Sequence, residues 1–571
     1  MKKHLPAVKG LHLTPAVVTT ALLSVFGTAH TQTRPDAGSV LQQIPQPSTP
    51  APAEAVPLPR LDNVPTQPPM RSLPSGPQVE VTRFEITGNR VIDTATLQAQ
   101  IAGEGGRSMS LEEIEAVATR LTRYYRARGY FVARVYVPQQ EIKDGAVALR
   151  AVEGNYGRFI LKNESLVRDS TVQAMLDDVK HHDIVSLDTM ERAMLIINDT
   201  PGSRVVRADV RPGEVVGTSD FVVETAADPR YDGYLMADNH GSRYTGKARA
   251  SFNWNWNSPT RRGDRLSVSG LASGNSDLLN GRIGYSLPLA PSGWRGEAAV
   301  SQTTYELGDV FRSLDAQGRA RSIELGVTYP IRRIQAQTLE AGLSYAHRRL
   351  RDDVRSTETV TKKTSQALTA SLNLRDERTL FGYDGVTQAG LGLTTGYLGI
   401  RSADARLLDE ADGGPNTNGR FSRLNLMLSR YLLLPRSFSL TATLKHQSAL
   451  FNKNLDGSER MPLGGISGVL AYPSGELSGS SGTLLRLELA RPLPAWRGLQ
   501  HQWSVFSDLA SARTLKTDPY RTLRDVGVGW AASHSSGLVA KVWWAHRIED
   551  LPAQSEHAGR NRFLVQAGWV F

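Results

Sequence analysis

From residue 229 to Phe571 the chain repeats one pattern, an apolar residue at every second position. Ala248, Ala250, Phe252, Trp254 and Trp256 form one such run, Leu368, Ala370, Leu372 and Leu374 another, and Leu424, Leu426 and Leu428 a third. The spacing returns at Phe438, Leu440, Ala442 and Leu444, at Leu485, Leu487 and Leu489, at Val526, Val528 and Trp530, and at Phe563, Val565, Ala567, Trp569 and Phe571. Successive side chains of a strand point to opposite faces, so these segments build a sheet with one oily and one wet face. No apolar run reaches the roughly 20 residues of a membrane helix. A soluble sandwich turns the oily face inward, whereas a membrane barrel turns it to lipid and lines water with the other. Segments near the ~9–11 residues of a spanning strand favour the barrel, as do the terminal Phe571 and the tryptophans 254, 256, 530, 543, 544 and 569 near segment ends. At ~10 residues per strand and a similar length per connection, the region holds about 16 strands.

The opposite end of the chain is a targeting segment. Lys2, Lys3 and Lys9 precede the apolar stretch Pro15–Phe26, and the small residues Gly27 and Ala29 follow at cleavage-site spacing, so residues 1–29 read as a secretory signal peptide. A first membrane helix is contradicted by the polar continuation His30-Thr31-Gln32-Thr33-Arg34. Residues 30–77 hold a short helical stretch, 37–44, and then a proline-rich linker whose rings block helix and sheet ladders. Beyond export, ATP is not expected.

Between linker and alternating region stand two similar modules, 78–154 and 155–228. In the first, Val79–Ile86 alternates as a strand and Ser110 with Glu113 forms a capping box. Leu111, Ile114, Val117, Leu121 and Tyr124 then recur at helical spacing, and strands over 130–138 and 146–152 close the unit across Lys143-Asp144-Gly145. The second repeats this order with a strand at 159–161, helices at 171–179 and 187–198, and strands at 204–210 and 219–224. Neither module gathers acids or histidines. Modules with open sheet edges and no chemistry bind extended peptide by adding a strand.

Chemical motifs are weak. Gly241–Lys247 nearly spells a phosphate loop, but Ala248 stands where a magnesium-binding hydroxyl belongs and a strand follows instead of a helix. The chain has no cysteine, His181-His182 lacks zinc-helix spacing, and no Gly-x-Ser-x-Gly elbow occurs, so no metal or cofactor is expected. A net charge of +10 comes from scattered arginines without a basic helix, which argues against nucleic acid as a partner. The stretch 461–482 is different. Its six glycines, two prolines and few charges describe a segment packed closely against something, and in a wide barrel that is the inner wall.

Several stretches carry a family resemblance. They are Gly129-Tyr130 with Val135–Gln140, Asn198–Gly202 with Pro212-Gly213, Tyr231–Tyr234, Asp238–Gly246 and Gly263-Asp264. Together they are similar to the TpsB family of two-partner secretion transporters, the haemolysin and filamentous-haemagglutinin exporters, over almost the whole chain. Both modules resemble the POTRA domains of that family. Gly464, Gly465, Val469, Leu470, Ala471, Tyr472, Pro473, Gly475, Glu476 and Gly479 look like its signature loop, which folds into the lumen from outside. The family loop reads Val-Arg-(Gly or Ala)-Tyr, and its Arg is expected to pair with the acid of a Phe-x-Asp wall motif. Here the wall motif is Phe506-Ser507-Asp508, Leu470 stands in place of the Arg, and Gly479-Ser480 in place of a Gly-Asp. Asp508 therefore lacks its expected partner on the loop. Because an unpaired buried carboxylate costs several kcal/mol, water or another arginine compensates, or the loop is held less firmly.

The resemblance implies a mainly β chain with α+β modules: an antiparallel transmembrane β-barrel of about sixteen strands over 229–571, preceded by two periplasmic POTRA domains of β-α-α-β-β order. It implies a monomeric outer-membrane pore in contact with lipid, a transporter and not an enzyme. Such a pore captures a secreted, TpsA-like β-helical exoprotein through its N-terminal secretion domain. Capture by strand addition is expected near Arg204, Val205, Val206, Arg207, Ala208 and Val210, with the loop and helix 37–44 obstructing the pore at rest. A barrel-assembly factor, a non-specific porin and a secreted β-rich adhesin are the rival readings.

Overall fold

The structure is a computed structural model and describes residues 34–44, 61–62, 78–274, 277–548, 553 and 559–571. The expected signal peptide and most of the linker lie outside the described residues. A short helix, α1 (Ala37–Gln42), begins the described chain and ends two residues earlier than the sequence suggests.

In the first module a three-stranded sheet has the order Arg83–Thr87, Ala146–Val152, Arg134–Tyr136. The helices α2 (Thr94–Gln100) and α3 (Leu111–Ala127) cover one face of it. The predicted capping box starts α3: the Ser110 hydroxyl accepts from the Glu113 amide, and the Glu113 carboxylate accepts from the Ser110 amide at 2.7 Å. Leu121 and Tyr125 of α3 and Leu149 of the sheet beneath it are fully buried, and each leucine contributes roughly 1.5–3 kcal/mol. The strand expected over 130–138 shrinks to three residues. Ala133 donates back to Tyr130 in a tight turn, and Pro138 has no N–H to extend the ladder. The strand expected over Val79–Ile86 is split at Thr82: Arg83–Thr87 joins the sheet, and Val79–Val81 pairs with Arg107–Met109, a strand that periodicity does not show.

The second module is a four-stranded sheet under α4 (Asp169–Asp177) and α5 (Leu187–Asn198). Its order is Leu61–Asp62, Arg204–Pro212, Thr218–Ala226, Asn155–Glu164. This module docks on one rim of the barrel through polar contacts. Arg192 donates to the Pro330 and Ser292 carbonyls at 2.7 and 3.0 Å, Arg333 grips Asp199 at 2.7 and 2.8 Å, and Ser258 donates to the Pro201 carbonyl. Two sequence motifs, Asn198–Gly202 and Gly263-Asp264, thus meet at one joint.

Sixteen antiparallel strands close the barrel, and its first strand, Tyr231–Asp238, pairs with its last, Asn561–Val570. Closure leaves no unpaired edge, the condition for placing a sheet in hydrocarbon. The alternation predicted from sequence is present: on the strand Ala316–Ile334, Ala316, Ala320 and Ser322 are buried toward the filled interior while Ile323 and Leu325 are exposed outside. Aromatic pairs ring the side that carries the modules, with Tyr231 stacked on Trp254 and Trp294 on Tyr329. Rings of this kind belong at a membrane–water interface.

Candidate functional site

Among the described residues, two inserts occupy the interior of the barrel. One is the glycine-rich stretch 461–482, which folds back on itself: Met461-Pro462 pairs with Ser478-Gly479, Leu463 N–H donates to the Leu477 carbonyl, and Gly465 N–H donates to Tyr472. Leu463, Val469, Leu470, Ala471 and Tyr472 are all buried. A glycine is required at 468, where a Cβ would stand 2.0 Å from the Leu463 carbonyl group. No solvated loop packs in this way.

The wall opposite the loop tip carries a row of charges in strand register. Arg486, Asp508, Asp525 and Arg547 lie directly opposite one another on four neighbouring strands. Asp508, with no exposed side-chain surface, takes two bonds from Arg486, at 2.6 and 2.7 Å. Arg486 also donates to the Gly468 carbonyl of the loop at 2.6 Å. Ala471 N–H donates to Asp525 at 2.7 Å, and Leu470 N–H makes a longer bond to Asp508 at 3.4 Å. Of the alternatives open at position 470, another arginine is the answer, supplied by the adjacent strand. Leu470 itself packs with Ala471, Phe506, Ala545 and Leu564, and the loop backbone makes the polar contacts.

The remaining loop residues are tied down as well. Glu476, its side chain fully buried, is bound by Arg521. Arg562 donates to the Tyr472 carbonyl, and the Arg547 guanidinium lies 5.3 Å from the centre of the Tyr472 ring. Gly464 approaches the Pro473 carbonyl so closely that a Cβ would stand 2.4 Å from it, and Gly475 has a φ of +85°. Ser480, where the family pattern has an acid, is buried and donates to the Thr514 carbonyl at 2.7 Å.

Helix α1 is the second insert. Ala37 and Val40 are buried against Tyr305, Ala320 and Leu350 of the inner wall. Its N-cap, Asp36, forms an ion pair with Lys363 at 3.0 Å, and the same ammonium holds Asp456 at 2.5 Å. Ala37 N–H donates to Asp352 at 2.7 Å. Glycine weakens the middle of a helix by roughly 0.5–1 kcal/mol relative to alanine; Gly38 stands in the first turn of α1, where a Cβ would meet the Ser458 amide at 2.6 Å. Asp456 and Ser458 begin the segment that leads into the loop, and Glu459 beside them is held by Arg348 and Arg423. The two inserts therefore share anchoring groups that sequence alone did not single out.

At the expected capture edge, Val205, Ala208 and Val210 point into the module core, while Val206 is 46% exposed. Arg204 faces Asp228, and Arg207 faces Asp209 at 3.0 Å. A register shift between Val205 and Arg207 bulges the strand. The edge is partly taken: Leu61 and Asp62 of the linker pair in parallel with Ala208 and Asp209.

Comparison with known proteins agrees with this architecture. Residues 217–534, more than half of the chain, match the model of the haemolysin secretion/activation protein family ShlB/FhaC/HecB, and residues 79–154 match the ShlB-type POTRA domain. The heme/hemopexin transporter protein HuxB of Haemophilus influenzae is 26% identical over 529 residues, spanning 90% of this chain and 92% of that protein. The outer membrane transporter CdiB-2 of Burkholderia pseudomallei is 24% identical over 425 residues, 70% of this chain and 69% of that protein. The structure of CdiB from Escherichia coli superposes with a TM-score of 0.72 at 18% identity, covering 90% of this chain and 94% of that one. A sixteen-stranded barrel, a POTRA domain followed by an α+β module docked on the rim, and a loop folded into the lumen thus coincide with a family match over the barrel itself: the chain belongs to the haemolysin secretion/activation proteins of the ShlB/FhaC/HecB family, the outer-membrane transporters of two-partner secretion.

Proposed function

We propose that the POTRA modules lie in the periplasm, capture the secretion domain of an exoprotein by strand addition, and hand it through the lumen as a single-chain pore. One observation carries this reading. The linker that leads to α1 also occupies the edge at Ala208 and Asp209, so one segment touches both the plug and the capture site. An incoming strand that pairs along Arg204–Pro212 competes with Leu61-Asp62 for the same backbone groups. Its arrival frees the linker, and the freed linker removes one restraint on α1.

The inserts suit this role because ion pairs and hydrogen bonds hold them alongside their apolar packing. The Lys363 knot and the Arg486–Asp508 row are traded for water once hydrated cargo enters, which offsets their desolvation. No nucleotide-binding motif is recognisable in the sequence, so directionality comes from folding of the cargo outside.

The chain lacks cysteine, so Asp62→Cys with Asp209→Cys gives a clean crosslink between register partners. Oxidised, this variant should stop exporting a co-expressed exoprotein, and reduction should restore export. Equal export in both states would refute linker exchange.

A further inference from the structure

The outer face of the barrel carries a feature that transport does not use. Residues opposite one another in register share a face, and one outward row runs Gly270, Gly281, Gln302, Arg321, Arg349 across five strands. The next row, one step farther from the POTRA rim, contains Arg319, Arg351 and Lys362. All five basic residues are exposed. Among the described residues, Arg319 and Arg349 have no acidic partner, and Arg321 bonds only to the neutral Gln302 at 2.8 Å. Arg351 is held by Asp353 at 2.9 Å.

Two arginine pairs, Arg319 with Arg351 and Arg321 with Arg349, face each other directly. Like charges in that position repel and destabilise a sheet. Beneath them the outward residues are Ile323, Leu325 and Val327 on one strand and His347, Tyr345 and Leu343 on the next, apolar except for His347. The basic rows therefore sit where the hydrocarbon belt ends, on the side away from the POTRA modules.

Next to them a groove of about 670 Å³ opens in the same outer surface. Phe252, Ile283, Val300 and Ile323 line it together with His347, and Arg321 and Arg349 stand at its end. Gly281 provides its floor, since a Cβ there would meet nothing within 4 Å. A chain-width, mainly apolar slot that ends in guanidinium groups without an acidic partner matches a lipid with a phosphorylated headgroup. Guanidinium binds phosphate in a bidentate manner, and one phosphate between facing arginines removes their repulsion.

We infer that this surface is a binding site for a phosphorylated, multiply acylated glycolipid of the outer leaflet, with phosphate on Arg321 and Arg349 and an acyl chain over Gly281. The assignment to the outer leaflet rests on the periplasmic placement of the POTRA modules proposed above.

Native mass spectrometry of the full chain in non-ionic detergent, with diphosphoryl lipid A as probe, tests the site. One lipid A should be retained per chain, at least about tenfold more tightly than its dephosphorylated form or phosphatidylcholine. The double variant Arg321→Gln, Arg349→Gln and the groove-filling Gly281→Leu should each lower retention about tenfold while keeping the heat-modifiable gel shift of a folded barrel. Unchanged retention in both variants, or displacement by millimolar inorganic phosphate, would overturn the inference. Orientation is read separately: Ser356→Cys, in the turn beyond the basic rows, should react with an impermeant maleimide on intact cells. Labelling only after permeabilisation would refute the POTRA placement and the leaflet assignment; labelling with unaltered lipid retention in the variants would sink the lipid site alone.

Discussion

Arg486 and Asp508 stand opposite each other on neighbouring strands, and their two bonds at 2.6 and 2.7 Å make the pair the anchor of the lumen loop. The arginine comes from the wall instead of the loop, so the loop is gripped through its backbone at Gly468, Leu470 and Ala471.

Arg486→Leu should release this anchor. It leaves Asp508 buried without its cation and the Gly468 carbonyl without that donor, a loss of about 3–5 kcal/mol for a buried pair. Resting conductance in planar bilayers should rise and the heat-modifiable gel transition should move to lower temperature. Parental conductance would show that the pair does not hold the loop.

Leu470→Arg alone should destabilise the barrel, because it forces a guanidinium into an apolar pocket of Phe506, Ala545 and Leu564. Combined with Arg486→Leu it should recover most of the loss, since one cation again faces Asp508. A double-mutant cycle on the unfolding temperature measures this coupling. Simple additivity of the two substitutions would contradict the shared site.

Gly38→Leu should expel α1, as its side chain would collide with the Ser458 amide. The expected result is higher resting conductance with an unchanged barrel gel shift. Lys363→Met should act in the same direction by leaving Asp36 and Asp456 without their common cation. If both variants conduct like the parent, α1 is not an obstruction.

The first module should loosen in acid at the start of α3. The Ser110 N–H, and then Arg107, hold the Glu113 carboxyl below its ordinary range. A depressed folded-state value contributes stability above the unfolded value, near pH 4.3, and loses it as pH falls through the folded value. Hydrogen exchange of the first-turn amides, corrected for intrinsic rate, should therefore accelerate at about pH 3 relative to pH 7, and Glu113→Gln should flatten that dependence. Equal protection at both values would remove the cap from the account.

Much of this protein is local information. A period of two sets which side chains face lipid, as at Ile323 and Leu325. Six glycines in 461–482 announce close packing, and Ser110 with Glu113 announces a helix start; each of these signals lies within a few consecutive residues. The partner of Asp508 depends instead on the stagger between the strands Ser481–Trp496 and Leu499–Arg513, which no single strand encodes. The same holds for Lys363, which joins Asp36 to Asp456 across distant stretches of chain, and for Leu61-Asp62 on the edge at Ala208. Period and composition determine what each segment is, whereas barrel register and closure decide which charges meet, because a long-range ion pair exists only once every intervening strand has taken its place.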